Sequence, residues 1–91
     1  DPASPIYHAL VPAYDASKAA VNMFTVELAH ELKDTKIKVN AAHPGWVKTD
    51  MGGAEAPMEL TDGAKTSVWL ATLPGDGPTG GYFHMMVHMR W

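Results

Sequence analysis

Helical and strand-like segments alternate along this chain, and that order predicts an α/β fold. Apolar residues recur every three or four positions over residues 14–33, apolar and polar residues alternate over 36–42, and a second helical run precedes a last apolar segment. Strands that are separated by a helix usually lie parallel in one sheet. We therefore expect the order helix, strand, loop, helix, strand, with the two strands parallel.

Composition predicts a globular chain with no nucleic-acid or membrane partner. The chain has 91 residues, 46% of them apolar, a net charge of −3 and no cysteine, so it has neither disulfides nor thiolate metal sites. A net negative chain lacks the basic patch that nucleic acid requires. No apolar run approaches the roughly 20 residues that cross a bilayer. The first residues lack the pattern of a signal peptide, so we expect a cytoplasmic protein.

The first helix is predicted over residues 14–33, after an irregular lead-in that contains three prolines. Alanines favour this helix and leave room for close packing, and an apolar stripe recurs along it at spacings of three and four. The stripe consists of Val21, Phe24, Leu28 and Leu32. If nothing covers it, the stripe favours association with other chains, because exposed apolar area promotes binding.

The alternating stretch 36–42 predicts a strand with unlike faces, and the dipeptide Pro44-Gly45 ends it. A loop over residues 45–60 follows. Loops of this length without regular structure are often functional. We therefore expect the loop to be functional.

The second helix is predicted to run through Thr72, with Thr61 as its N-cap or with a start within 59–62. A last short strand is predicted over 80–84, followed by a methionine-rich apolar tail over 85–91. Two strands do not form an independently stable sheet. We therefore expect a homo-oligomer that forms through the first helix and the tail.

Tyr14 and Lys18 lie four positions apart at the head of the first helix, so their side chains share one helical face. An ammonium group near a phenol stabilises the phenolate and lowers the phenol pKa from its usual value of about 10. Such a phenol can donate and accept a proton near neutral pH. The pair therefore predicts acid–base chemistry.

Three motifs in this order resemble the C-terminal part of a short-chain dehydrogenase/reductase, over nearly the whole chain. They are Tyr14-Asp15-Ala16-Ser17-Lys18, then Asn40-Ala41-Ala42-His43-Pro44-Gly45-Trp46-Val47-Lys48-Thr49, then Thr79-Gly80-Gly81. The resemblance implies a single partial domain over residues 1–91. It also implies the C-terminal portion of a Rossmann-like, doubly wound parallel sheet, incomplete here and completed by oligomerisation.

The resemblance implies hydride transfer between NAD or NADP and an alcohol or carbonyl substrate. Tyr14 matches the catalytic tyrosine, and Lys18 matches the lysine that binds the nicotinamide ribose and tunes that tyrosine. The residues that match the nicotinamide pocket are Pro44, Gly45, Val47 and Thr49. Residues 50–60 match the mobile substrate loop, and the residues expected to line the substrate side are Trp46, Met51 and Met58. The family's glycine-rich phosphate loop, its catalytic serine and the residue that selects NAD or NADP are absent from this sequence.

Several features allow a second interpretation. Trp46 either lines the substrate pocket or is a packing anchor. His84 and His88 have a helical ligand spacing, but they lie about 13 Å apart if the segment is a strand, so no metal site is predicted. The chain as a whole is either an oxidoreductase, alone or within a longer protein, or a non-catalytic remnant that acts in self-association or binding.

Overall fold

A computed structural model of the chain describes residues 12–91. The elements, in chain order, are α1 (Pro12–Glu31), β1 (Ala41–His43), α2 (Leu60–Ala71), β2 (Tyr82–His84) and β3 (Val87–Met89). The sheet order is β1-β2-β3, with β1 and β2 parallel and β2 and β3 antiparallel. The predicted α/β class and the parallel pair are confirmed. In the described part of the chain, neither helix combines the length and apolar composition that a membrane span requires.

Helix α1 buries small residues and leaves the first half of its apolar stripe exposed. The buried residues of α1 are Thr25 and Ala29, whereas Val21 and Phe24 are 53% and 63% exposed. Ala29 lies close to Gly80 at the start of the last segment. Leu28 and Leu32 are half-buried, so the uncovered part of the stripe is its first half.

The predicted strand over 36–42 is too long, because pairing begins only at Ala41. The preceding residues are held mainly by side chains, with one backbone hydrogen bond from the Gly80 N–H to the Val39 carbonyl (2.7 Å). The Asn40 Nδ2 donates to the carbonyl of Pro78 (3.0 Å), and the Asn40 Oδ1 accepts from the backbone N–H of Gly81 (3.0 Å). These bonds satisfy the backbone that a longer strand would have paired, so β1 is short.

Helix α2 begins at Leu60 with Glu59 as its N-cap. The predicted start within 59–62 is confirmed, and Thr61 as the N-cap is wrong. The Glu59 backbone is extended, and its carbonyl accepts from the N–H groups of Asp62 and Gly63 (3.1 Å each), which closes the first turn two residues earlier than an N-cap at Thr61 would. Thr66 on this helix is buried, with 2% of its surface exposed.

The last segment is a hairpin rather than a strand with a trailing tail. Met85 and Met86 both have positive φ (49° and 65°) between β2 and β3. Two-residue hairpin turns favour positive φ at both positions, because this twist matches that of the strands. His84 and His88 consequently lie on facing strands, which corrects the prediction that they lie far apart along one extended strand.

Aromatic rings pack on both faces of β2, and one of them, Phe83, belongs to the small core with Ala29 and Ala56. Phe83 is buried and its ring packs edge-on against Trp69 of α2, with centroids 5.3 Å apart. On the other side Tyr82 stacks on Trp91 with centroids 5.2 Å apart. Successive side chains of β2 point to opposite faces of the sheet, so Phe83 contacts α2 on one face and Tyr82 contacts Trp91 on the other.

Candidate active site

The predicted pair meets on the first turns of α1. The Lys18 Nζ lies 5.3 Å from the centroid of the Tyr14 ring, a cation–π contact. Tyr14 is 50% exposed, and the hydroxyl of Ser17 donates to the Tyr14 carbonyl (2.7 Å). The helical spacing thus brings the ammonium onto the phenol ring, and the phenol stays accessible to a ligand.

Tyr82 is a neighbour of this pair that the sequence analysis did not select. Burial raises the pKa of the Tyr82 phenol, and the negative charge of an ionised Tyr14 raises it further. Tyr82 begins β2, directly after the Gly80-Gly81 dipeptide. That position in the glycine motif is the sequence signal that could have pointed to it. This interaction between the two phenols indicates that Tyr14, at the head of α1, lies near the start of β2.

The turn at Pro44 and Gly45 follows β1 directly and is held by two histidines. The Gly45 N–H donates to the Nδ1 of His43 (2.9 Å), and the Nδ1 of His84 donates to the His43 carbonyl (2.9 Å). Gly45 has a φ of +86°, and a Cβ there would collide with the thioether sulfur of Met58. The turn therefore favours glycine for its backbone angle, and a side chain there would also displace Met58.

His43 connects this turn to the aromatic cluster. Its ring centroid lies 5.8 Å from that of Tyr82 and 4.8 Å from that of His84. Burial lowers the pKa of His43, and the positive charge of His84 lowers it further, while a hydrogen bond to the backbone acts in the opposite direction. His43 is thus favoured in its neutral form, in which Nδ1 can accept the Gly45 hydrogen bond.

The loop after the turn is closed at its base by a short bridge. Val47 and Met58 pair in parallel: the Lys48 N–H donates to the Met58 carbonyl (2.8 Å), and the Met58 N–H donates to the Trp46 carbonyl (3.2 Å). The ion pair between Lys48 and Glu59 (2.7 Å) lies beside this bridge. The loop is therefore anchored at both ends rather than free between 45 and 60.

Within the loop, the predicted substrate-side residues separate. The Trp46 indole N–H donates to the Gly52 carbonyl (2.7 Å), while its ring stays 56% exposed. Met51 is 90% exposed, and Met58 lies in the bridge. The Thr49 hydroxyl oxygen accepts from the Gly52 N–H (3.0 Å) and keeps its own proton to donate. Trp46 and Met58 thus lie at the base of the loop, and Met51 lies exposed within it.

The Pro44-Gly45 turn lies at one end of the sheet. The turn residues lie at the carboxyl end of β1, and His84 ends the parallel neighbour β2. Ligands in open α/β sheets bind outside the carboxyl ends of the strands. Among residues 12–91, no three histidine or acidic side chains converge as a metal site.

Comparison with known proteins identifies the family. Residues 3–60 match the family model described as short chain dehydrogenase, which is more than half of the chain. The chain belongs to the short-chain dehydrogenase family, as the three motifs predicted.

The relatives are carbonyl reductases that are much longer than this chain. Carbonyl reductase (NADPH) 1 of Sus scrofa is 43% identical over 84 residues, which is 86% of this chain and 29% of that protein. The Homo sapiens protein of the same name is 42% identical over 74 residues, covering 75% and 27%. The chain thus spans less than a third of the curated relatives it matches.

Two solved structures have the same local fold. The carbonyl reductase Sniffer of Drosophila melanogaster superposes with a TM-score of 0.75 at 36% identity, over 87% of this chain and 32% of that one. Salutaridine reductase from Papaver somniferum superposes with a TM-score of 0.71 at 38% identity, over 78% and 24%. The small sheet and its helices therefore correspond to part of a Rossmann-type dehydrogenase fold.

Proposed function

We propose that this chain supplies the Tyr–Lys pair and the nicotinamide-side turn of a carbonyl reductase that uses NADPH. It would be the C-terminal part of such an enzyme, within a longer polypeptide or within an assembly of copies. The observation that carries the proposal is the contact between Lys18 Nζ and the Tyr14 ring at an accessible helix head in a member of this family. The names of the relatives in two mammals favour NADPH over NADH.

The residues fit one end of the cofactor. Thr49 has a hydroxyl proton to donate to a carboxamide oxygen, and Gly45 keeps the turn free of a side chain. The sequence holds no glycine-rich phosphate loop, so the pyrophosphate would be bound elsewhere. When bound, the cofactor supplies the hydride.

The chain's own residues would supply the proton and the orientation. The Tyr14 hydroxyl gives its proton to the carbonyl oxygen of the substrate, and the Lys18 ammonium stabilises the anion that remains. Pro44, Val47 and Thr49 position the nicotinamide. The exposed Met51 and the Trp46 ring limit which substrates reach Tyr14.

The test measures NADPH binding and NADPH oxidation by the purified chain. Binding is followed by quenching of tryptophan fluorescence, and turnover by absorbance with a panel of aldehydes and ketones. Tyr14→Phe should lower turnover by about 100-fold or more while NADPH still binds. Lys18→Met should weaken binding and turnover together, and Lys36→Met is the matched control at an exposed lysine. Turnover that survives Tyr14→Phe unchanged would refute the proposed acid–base role.

A second candidate function is self-association, and the exposed stripe of α1 favours it. Val21 and Phe24 are more than half exposed, and apolar area of this kind favours a partner. We expect Phe24→Glu to shift the chain toward monomer in sedimentation at micromolar concentration. Met51→Glu, at a more exposed methionine in the loop, is the control. A monomeric wild-type chain would exclude this candidate.

A further inference from the structure

Helix α2 touches the loop at one point where only glycine leaves room. A Cβ built on Gly63 would lie 2.7 and 2.9 Å from the two γ-methyl carbons of Val47. Real Cβ atoms do not approach carbon atoms so closely, so alanine at this position would force one side to move. Valine is stiff at χ1, and both of its methyl groups face the glycine, so a rotation does not clear the space.

Val47 is confined from its other side as well. A Cβ on Gly52 would collide with the Val47 carbonyl oxygen. The residue after Val47 makes the bridge bond, in which the Lys48 N–H donates to the Met58 carbonyl (2.8 Å). Val47 therefore lies between two glycines and next to the hydrogen bond that closes the base of the loop.

We propose that Gly63 is a positioning residue, which sets the location of Val47 and through it the nicotinamide side of the pocket. The predicted effect on cofactor binding rests on the proposed function, whereas the contact between Gly63 and Val47 does not depend on it. Gly63 lies within α2 and carries no positive φ. In an exposed helix interior, alanine would be preferred there by about 1 kcal/mol, or about fivefold. The glycine is thus retained against helix propensity, and the space beside Val47 is the physical reason.

The experiment is a double-mutant cycle with Gly63→Ala, Val47→Ala and the double variant. Amide hydrogen exchange of Lys48 and Met58 reports on the loop base, and exchange of Ala41, which donates to the Gly81 carbonyl in the sheet, serves as the internal control. Gly63→Ala should speed exchange at Lys48 and Met58 by about fivefold or more without the same change at Ala41. In the Val47→Ala background the same substitution should have no effect, because the remaining Val47 Cβ lies at an ordinary 3.4 Å.

Cofactor affinity is the second readout. Gly63→Ala should raise the NADPH dissociation constant by about fivefold or more, and the double variant should match Val47→Ala alone. Gly75→Ala is the matched control, since a Cβ there meets nothing within 4 Å. Unchanged exchange at Lys48 in Gly63→Ala would overturn the proposal. So would altered exchange with an unchanged NADPH affinity.

The two proposals fail differently. If no variant and no wild-type chain binds NADPH, the proposed function fails for this chain, and the exchange measurements alone decide whether Gly63 positions Val47. If Gly63→Ala speeds amide exchange at Lys48 and Met58 equally in the wild-type and the Val47→Ala backgrounds, a contact other than that with Val47 is responsible. This result would overturn the inference.

Discussion

Asn40 is the residue whose loss should weaken the fold most clearly. Its side chain makes two hydrogen bonds to the segment before β2, one to the Pro78 carbonyl and one from the Gly81 N–H (3.0 Å each). Asn40→Ala removes both bonds, at about 1 kcal/mol each, and leaves the N–H of the buried Gly81 without its acceptor. The expected loss in unfolding free energy is about 2–3 kcal/mol, a large share of the total for a small chain.

The assay is urea unfolding followed by tryptophan fluorescence and circular dichroism. With an m-value of about 1.5 kcal/mol/M, the midpoint of Asn40→Ala should fall by about 1.3–2 M. Asn22→Ala removes the same amide group from α1, where alanine is the better helix former, and should leave the midpoint unchanged or slightly higher. A midpoint for Asn40→Ala within about 0.3 M of wild type would refute the reasoning, since it would mean that these bonds add nothing net.

Two further predictions concern charges at the turn and the loop. The pKa of His43 is lowered from its ordinary 6.5, so the folded state prefers the neutral ring. The contribution of His43 to the free energy of unfolding is therefore complete above about pH 6.5 and is lost as pH falls toward the lowered pKa. His43→Asn keeps an acceptor for the Gly45 N–H but does not titrate, so the urea midpoint of this variant should depend less on pH between 7 and 5 than that of wild type. An equal pH dependence in both chains would contradict the preference of the fold for neutral His43. The Lys48–Glu59 ion pair is exposed (side chains 43% and 64%), so Glu59→Gln should lower the free energy of unfolding by less than about 1 kcal/mol in urea unfolding. A larger loss, or a loss that does not change with salt concentration, would show that the pair does more than bridge the loop base.

Features formed by residues close together in the sequence were the easiest to predict. Apolar periodicity identified α1, and the spacing of Tyr14 and Lys18 placed both side chains on one face, where the structure finds them in contact. The Pro44-Gly45 dipeptide marked the end of β1, and the three motifs indicated the family that the comparison confirms. Each of these features depends on residues within a few positions of one another, and local patterns record such relations directly.

Only the tertiary structure decided the features that join distant segments. The strand begins later than predicted, at Ala41, because the Asn40 amide binds a segment 38 to 41 positions away. The turn at Met85 and Met86 contains no glycine or asparagine, so the local sequence does not predict it. The pairing of β2 with β3 holds both methionines at positive φ. By itself the sequence determined the family, the order of the first four elements and the placement of Tyr14 and Lys18 on one helical face. The contact of Gly63 with Val47 came only with the fold, since steric exclusion depends on which surfaces meet and not on the spacing between residues.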